Sequence, residues 1–276
     1  MQLHNKNAVI YGAGGSLGRT VARTLAMAGA RVFLTGHRRE SVQSVADEIR
    51  TAGGQAEADV VDALNKNQID EHLSRVIATA GSVDISFCLI DTQSVQDLPL
   101  IDMSLEDFLR PVTIGLQSFF LTATAAGKIM QQQRSGVILS LTATPGGIGY
   151  PYTGGFAPAC TAMECFSQNL ASELGAYGVR AVNIRSAGSP DSRVFVDAIR
   201  QYPGVMNDVL DSMQNDTMLK ALPRMQDIAN IALFLASDLA AMITGVTVDA
   251  TAGTTAALNY RAPKTIANAG NNIIAS

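Results

Sequence analysis

The chain has 276 residues, 47% of them hydrophobic and only 16% charged, with a formal net charge of −4. That balance excludes a disordered chain and a binder of nucleic acid carrying a basic field. Tryptophan is absent and aromatics make up 5%, so the core has to be built from Ala, Val, Ile, Leu and Met.

Met1 to Lys6 lead straight into an apolar strand without a charged-then-apolar leader. No apolar run approaches the ~20 residues that span a bilayer, so no membrane partner is expected. Cys88, Cys160 and Cys165 match no metal-ligand spacing. A reduced, cytoplasmic protein is the expectation.

Strand and helix patterns then alternate along the chain. Asn7–Tyr11 reads as a strand and Leu17–Ala28 as a helix; Arg31–Thr35 is a second strand, followed by a helix over Glu40–Thr51. Gln55–Val61 and a helix over Lys66–Thr79 follow, and Asp84–Ile90 is a near-continuous apolar run suited to a strand buried on both faces. Ser104 can cap a long helix reaching about Gln132, with Glu106 and Asp107 in its first turn and Pro111 expected to bend it or reset its start. Gly136–Leu141 is a fifth strand, Phe156–Tyr177 a helix rich in small residues, and Arg180–Ile184 a sixth strand. A helix over Gln226–Ser237 and a strand over Val246–Asp249 complete the pattern. The order predicts an α/β fold, a doubly wound, mainly parallel seven-stranded sheet with helices on both faces, as one domain over residues 1–260. Residues 188–222, with Pro190, Pro203 and three methionines (Met206, Met213, Met218), read as an apolar substrate lid, and 261–276 as a C-terminal tail.

Tyr11-Gly12-Ala13-Gly14-Gly15-Ser16-Leu17-Gly18 falls between the first strand and the first helix. Gly12 permits a tight turn, Gly18 permits close helix–strand packing, and the helix start offers free N–H groups to a pyrophosphate. Gly12, Gly14, Ser16, Leu17 and Gly18 are therefore cofactor-binding candidates. The second strand ends at Gly36, where an acidic residue would accept hydrogen bonds from an unphosphorylated ribose. His37, Arg38 and Arg39 follow, supplying donors and charge suited to a 2′-phosphate, so NADP(H) is expected rather than NAD(H).

Over most of its length the chain resembles the short-chain dehydrogenase/reductase family. The family pattern is Thr-Gly-x-x-x-Gly-x-Gly; here Tyr11 replaces the Thr, and Ser16 replaces the middle Gly, as in the enoyl reductase branch. Asp59-Val60 matches the pair that contacts adenine in the family, which makes both cofactor-binding candidates. The family places a Ser after the fifth strand, a Tyr thirteen residues later and a Lys four beyond that; this chain has Ala143, Phe156 and Cys160. Its relay Asn aligns with Gly115, and its Asn-Asn-Ala-Gly with Cys88-Leu89-Ile90-Asp91. No lysine lies between Lys128 and Lys220, so no shift of frame supplies one.

In the family the Tyr donates a proton, the Lys lowers its pKa and holds the nicotinamide ribose, and the Ser binds the substrate oxygen. Loss of general acid–base help alone is worth ~10²–10⁴-fold, which removes simple ketone reduction. Tyr150, Tyr152 and Asp91 are the candidate catalytic replacements, against ordinary roles as loop tyrosines and a turn aspartate. Thr142 and Thr144 could supply hydroxyls, Cys160 reads as a small core residue rather than a nucleophile, and Ser189 and Asp191 would lie beside the nicotinamide or cap the next segment. Three readings stay open. One is an atypical NADP-dependent oxidoreductase acting on activated C=C or C=N bonds of a small, mostly apolar substrate. The second is a non-redox isomerase, dehydratase or cyclase, and the third an inactive nucleotide-binding regulator. The resemblance also implies a homodimer or homotetramer, built through the helix from Phe156 and the last strand.

Overall fold

The computed structural model describes residues 2–256. Its strands are β1 (Asn7–Tyr11), β2 (Arg31–Gly36), β3 (Gln55–Val60), β4 (Ile85–Cys88), β5 (Gly136–Ala143), β6 (Val179–Ser186) and β7 (Thr247–Ala250). They form one sheet of order β3-β2-β1-β4-β5-β6-β7, with every pairing parallel. The chain winds outward from β1 to β3 and then returns to β4 beside β1. That reversal opens a crevice at the carboxyl ends of β1 and β4, the place where open α/β sheets bind ligands.

The layers follow from strand periodicity. Helices α1 (Ser16–Met27), α2 (Arg39–Thr51) and α8 (Met225–Ala236) cover one face, packing on Ile10, Leu34 and Val182. Helices α3 (Lys66–Ala80), α4 (Leu105–Gln133) and α5 (Phe156–Leu174) cover the other, on Val9, Tyr11 and Ile138. Successive residues of β1 thus enter opposite cores, and all five are buried.

Helix α4 starts where expected: Ser104 Oγ accepts the Asp107 N–H at 3.1 Å. Pro111 does not reset that start, because the helix runs unbroken through it to Gln133. The helix expected to reach Tyr177 is α5 followed by a 3₁₀ turn over Gly175–Tyr177. Residues 188–222, expected to form a lid, hold two helices, α6 (Arg193–Gln201) and α7 (Pro203–Asn215), and Pro203 opens α7. A proline at the first helical position lacks only an N–H that would go unpaired there. Neither helix has a buried residue. The segment is held at its ends, with Met213 and Phe195 against Gly188 and the Met218 N–H on the Ala252 carbonyl at 3.0 Å. The tail expected over 261–276 lies outside the described residues. Among the described residues no helix is long and apolar enough to cross a membrane.

Candidate active site

At the end of β1 the chain turns on Gly12, whose φ is +82° and whose Cβ, if present, would lie 2.3 Å from the Leu89 carbonyl oxygen. The Gly12 and Ala13 N–H groups donate to the Thr35 carbonyl at 3.1 and 3.0 Å, which pins the turn to β2. A Cβ on Gly18 would lie 2.3 Å from the Gly12 carbonyl oxygen, so α1 approaches the turn as closely as backbone allows. The residue before α1, Gly15, is extended, and no side chain caps the helix. The first-turn N–H groups at Ser16, Leu17 and Gly18 therefore face the crevice without an intrahelical acceptor. This cradle fits a pyrophosphate.

The base of the lid is fastened beside it. Ser16 Oγ accepts the N–H of Arg193, the first residue of α6, at 3.3 Å. The Asp191 carboxylate accepts the Met225 N–H, at the start of α8, at 3.2 Å. Gly14, Gly15, Ser16, Arg19, Asp191 and Arg193 line part of a groove of about 1060 Å³.

Beyond Gly36, His37, Arg38 and Arg39 are exposed. His37 Nε2 lies 3.9 Å from Asp62. Arg38 and Arg39 make no ion pair among the described residues, whereas Arg19, Arg31, Arg50 and Arg75 are all paired. Asp59, expected to meet adenine, already accepts the Val60 N–H at 2.9 Å and pairs with Arg75. Burial works to raise its carboxyl, but the Arg75 hydrogen bond and charge outweigh that and hold it below the usual range. His72 lies behind, buried, with Nδ1 unpartnered. Burial pushes its pKa down to about 4.

The other half of the crevice is lined by side chains from β5, β6 and α5. Ala143 ends β5 in register with Ser186. The threonines flanking it are buried and engaged: Thr142 Oγ1 donates to Glu164 Oε1 at 2.7 Å and accepts from Asn183 Nδ2 at 2.7 Å. Thr144 Oγ1 donates to the Ser186 carbonyl at 3.5 Å. Phe156 is the first residue of α5. Cys160, one turn on, is buried, and burial above all pushes its thiol up to about 11, against a role as nucleophile. A Cβ on Gly115 would lie 3.1 Å from Thr92 Cγ2 and 3.2 Å from Met163 Sδ, so little room is left for a side chain there.

The candidate replacements separate. Tyr150 is half-buried, and its phenol is raised by burial and then by the charge of Asp216, at the end of α7. Tyr152 is exposed, sits at φ 61°, and accepts the Asp97 N–H on its carbonyl at 2.8 Å. Asp91 Oδ1 accepts the Gln93 N–H at 3.0 Å within its own turn.

Sequence reasoning missed a partly buried ionic cluster beneath these positions, with Glu164 buried and Asp249 at the surface. Glu164, one helical turn past Cys160, accepts from Arg185 Nε at 3.0 Å, and Arg185 Nη1 pairs with Asp249 at 3.2 Å. The available signal was a glutamate four residues from Cys160 on the apolar face of a small-residue helix. Tyr11, on the opposite side of the crevice, is also unusual: its hydroxyl is buried without a partner, and burial holds its phenol far above the ordinary value.

The family described as "Enoyl-(Acyl carrier protein) reductase" matches residues 12–255. The chain is 29% identical over 259 residues to the 7alpha-hydroxysteroid dehydrogenase of Escherichia coli (strain K12), covering 94% of this chain and 98% of that one. It is likewise 29% identical over 259 residues to the 3-oxoacyl-(acyl-carrier-protein) reductase FabG of the same strain, covering 92% and 98%. Among solved structures, sorbitol-6-phosphate 2-dehydrogenase SrlD from Erwinia amylovora is similar at a TM-score of 0.83 and 26% identity, over 90% of this chain and 98% of that one.

Proposed function

The chain belongs to the short-chain dehydrogenase/reductase family, and on that footing we propose an NADP(H)-binding oxidoreductase that handles a small, mostly apolar substrate without the usual tyrosine–lysine relay. The observation that carries this reading is the uncapped first turn of α1 beside two unpaired arginines. When bound, the nucleotide supplies or accepts a hydride.

The protein's own residues divide the remaining work. The N–H groups of Ser16, Leu17 and Gly18 hold the pyrophosphate. Arg38 and Arg39, helped by His37, take the 2′-phosphate, and Gly36 leaves out the carboxylate that would repel it. At the reacting end, Phe156 and Cys160 offer no usable proton. The substrate is therefore one that needs less help at oxygen: an iminium, which already carries the positive charge, or an activated C=C bond, over whose conjugated system the developing negative charge delocalises. Tyr150 is the phenol best placed to donate under the lid; Asp91 and Tyr152 are the lesser candidates. The free cysteines support a reducing, cytoplasmic setting, and a homodimer or homotetramer is the proposed assembly.

Titration with NADPH and NADH, followed by a panel of enones and cyclic imines monitored by NADPH absorbance, tests the reading. NADPH is expected to bind at least about tenfold tighter than NADH, with oxidation by some member of the panel. Tight binding with no oxidation across the panel would remove the oxidoreductase. Turnover with an unchanged nucleotide spectrum would point to an isomerase, dehydratase or cyclase. A nucleotide-dependent change of assembly without turnover would point to a regulator.

A further inference from the structure

We infer that the Glu164–Arg185–Asp249 cluster makes the site favour the oxidised, cationic nicotinamide over the reduced, neutral one; this rests on the nucleotide reading above. The cluster holds two carboxylates and one guanidinium, an excess of one negative charge. Its side chains are 9% exposed at Glu164, 16% at Arg185 and 31% at Asp249. Both carboxylates are engaged by several donors. Glu164 takes Arg185 Nε and Nη2 as well as the Thr142 hydroxyl. Asp249 takes Arg185 Nη1, the Thr251 N–H and hydroxyl, and the Thr255 hydroxyl.

Its place in the fold gives that charge a target. Thr142, Arg185 and Asp249 stand in register across β5, β6 and β7, just below the carboxyl ends of the strands. The Gly146-Gly147 backbone lies against the Glu164–Arg185 pair. A Cβ on Gly146 would lie 2.6 Å from Glu164 Oε1 and 3.0 Å from Cys160 Cβ, and one on Gly147 2.6 Å from Arg185 Nη1. In the family this chain resembles, the position of Cys160 carries an ammonium that holds the nicotinamide ribose. Here the positive charge is gone, and a net negative one stands a helical turn beneath. The local field is reversed.

A reversed field acts on the donor rather than on the substrate. Preferential binding of the oxidised form makes the bound reduced form the stronger hydride donor. A tenfold preference corresponds to about 30 mV for a two-electron couple. A bound nicotinamide would give up the hydride with both electrons of its C–H bond and would itself become cationic, the form that the negative charge of the cluster would favour. An iminium then needs no proton, and a polarised C=C bond takes one from water at its other carbon. The cluster thereby offsets part of what the missing phenol would have contributed.

Dissociation constants for NADP⁺ and NADPH, measured on the same purified protein, test this. Glu164→Gln and Asp249→Asn should each shift the ratio towards NADPH by about five- to twentyfold. That is the order expected of removing one nearby charge at an effective dielectric of about 20, partly screened. Arg185→Gln should shift it the opposite way, and Arg185→Lys should leave it near the wild-type value. A merely structural role would weaken both forms together. A ratio that does not move in variants that still bind both forms, or that moves the same way for all of them, overturns the inference alone. Failure of the wild-type protein to bind either form overturns the nucleotide reading and this inference with it.

Discussion

The two halves of the crevice are built on opposite plans. On the β1–β3 side the backbone makes the site: Gly12 and Gly18 approach neighbouring carbonyls to where no side chain fits, and α1 is left uncapped. The ion pairs there, such as Asp59–Arg75, sit a third or more exposed. On the β4–β7 side the side chains make the site, with Glu164, Arg185, Thr142 and Asn183 locked in a mostly buried network. The first plan depends on a backbone kept free of side chains; the second brings together residues from far along the chain.

The sharpest way to break this contrast is to cut one ion pair in each half. Arg185→Met leaves Glu164, only 9% exposed, without its cation. It should cost about 3–5 kcal/mol in urea denaturation, the range for stranding a buried charge. Arg75→Met removes the same chemistry from a pair whose side chains are 55% and 33% exposed. That change should stay within about 1 kcal/mol. Equal losses would mean that the β4–β7 network is no more than surface electrostatics.

Next in size is the pH dependence that His72 gives the nucleotide side. Its pKa is lowered to about 4 in the folded protein by burial, against ~6.5 in an unfolded chain. Between those values the unfolded state binds the extra proton. The stability is therefore complete above pH ~6.5 and is lost as pH falls towards 4, by up to about 3 kcal/mol. His72→Leu should flatten that part of the stability curve, read from urea midpoints between neutral pH and about pH 4.5. An unchanged slope would show that the imidazole is solvated.

What could be read from the sequence follows the same division. The strands declare themselves as apolar runs and the glycine turn by its place between strand and helix, because both depend on neighbours within a few residues. Gly115 reads only as a missing Asn; that Thr92 and Met163 fill the space comes from the folded contact of α4 with distant segments. Arg185 meets Glu164 across 21 positions and Asp249 across 64, a juxtaposition that no local pattern encodes. Pro203 opens α7, a role that residue type alone does not declare because it depends on which turn precedes it. Asp91 takes the turn role that its residue type suggests, through a bond only two residues long.

A smaller effect would sharpen the account of the 2′-phosphate. Arg38→Ala and Arg39→Ala remove exposed, unpaired guanidiniums, so stability should not change measurably. NADPH affinity should fall about tenfold for each, roughly 1.4 kcal/mol, with NADH affinity unaltered. A parallel loss for both nucleotides would assign the arginines to general attraction instead of phosphate recognition.

The smallest expected effect lies where the halves touch. Ser16 Oγ receives the Arg193 N–H at 3.3 Å from the lid, a neutral bond of about 0.5–1 kcal/mol. Asp191 holds the same lid base through a charged acceptor on the Met225 N–H, worth about 1.5–3 kcal/mol. Ser16→Ala should therefore leave global stability almost unchanged and modestly speed hydrogen exchange in α6, while Asp191→Ala speeds it more. The two anchors act on one segment from different elements, so the double variant should exceed either alone. If Ser16→Ala by itself freed α6 fully, the lid would be governed from the glycine turn, and the separation between a backbone-built half and a side-chain-built half would fail at that bond.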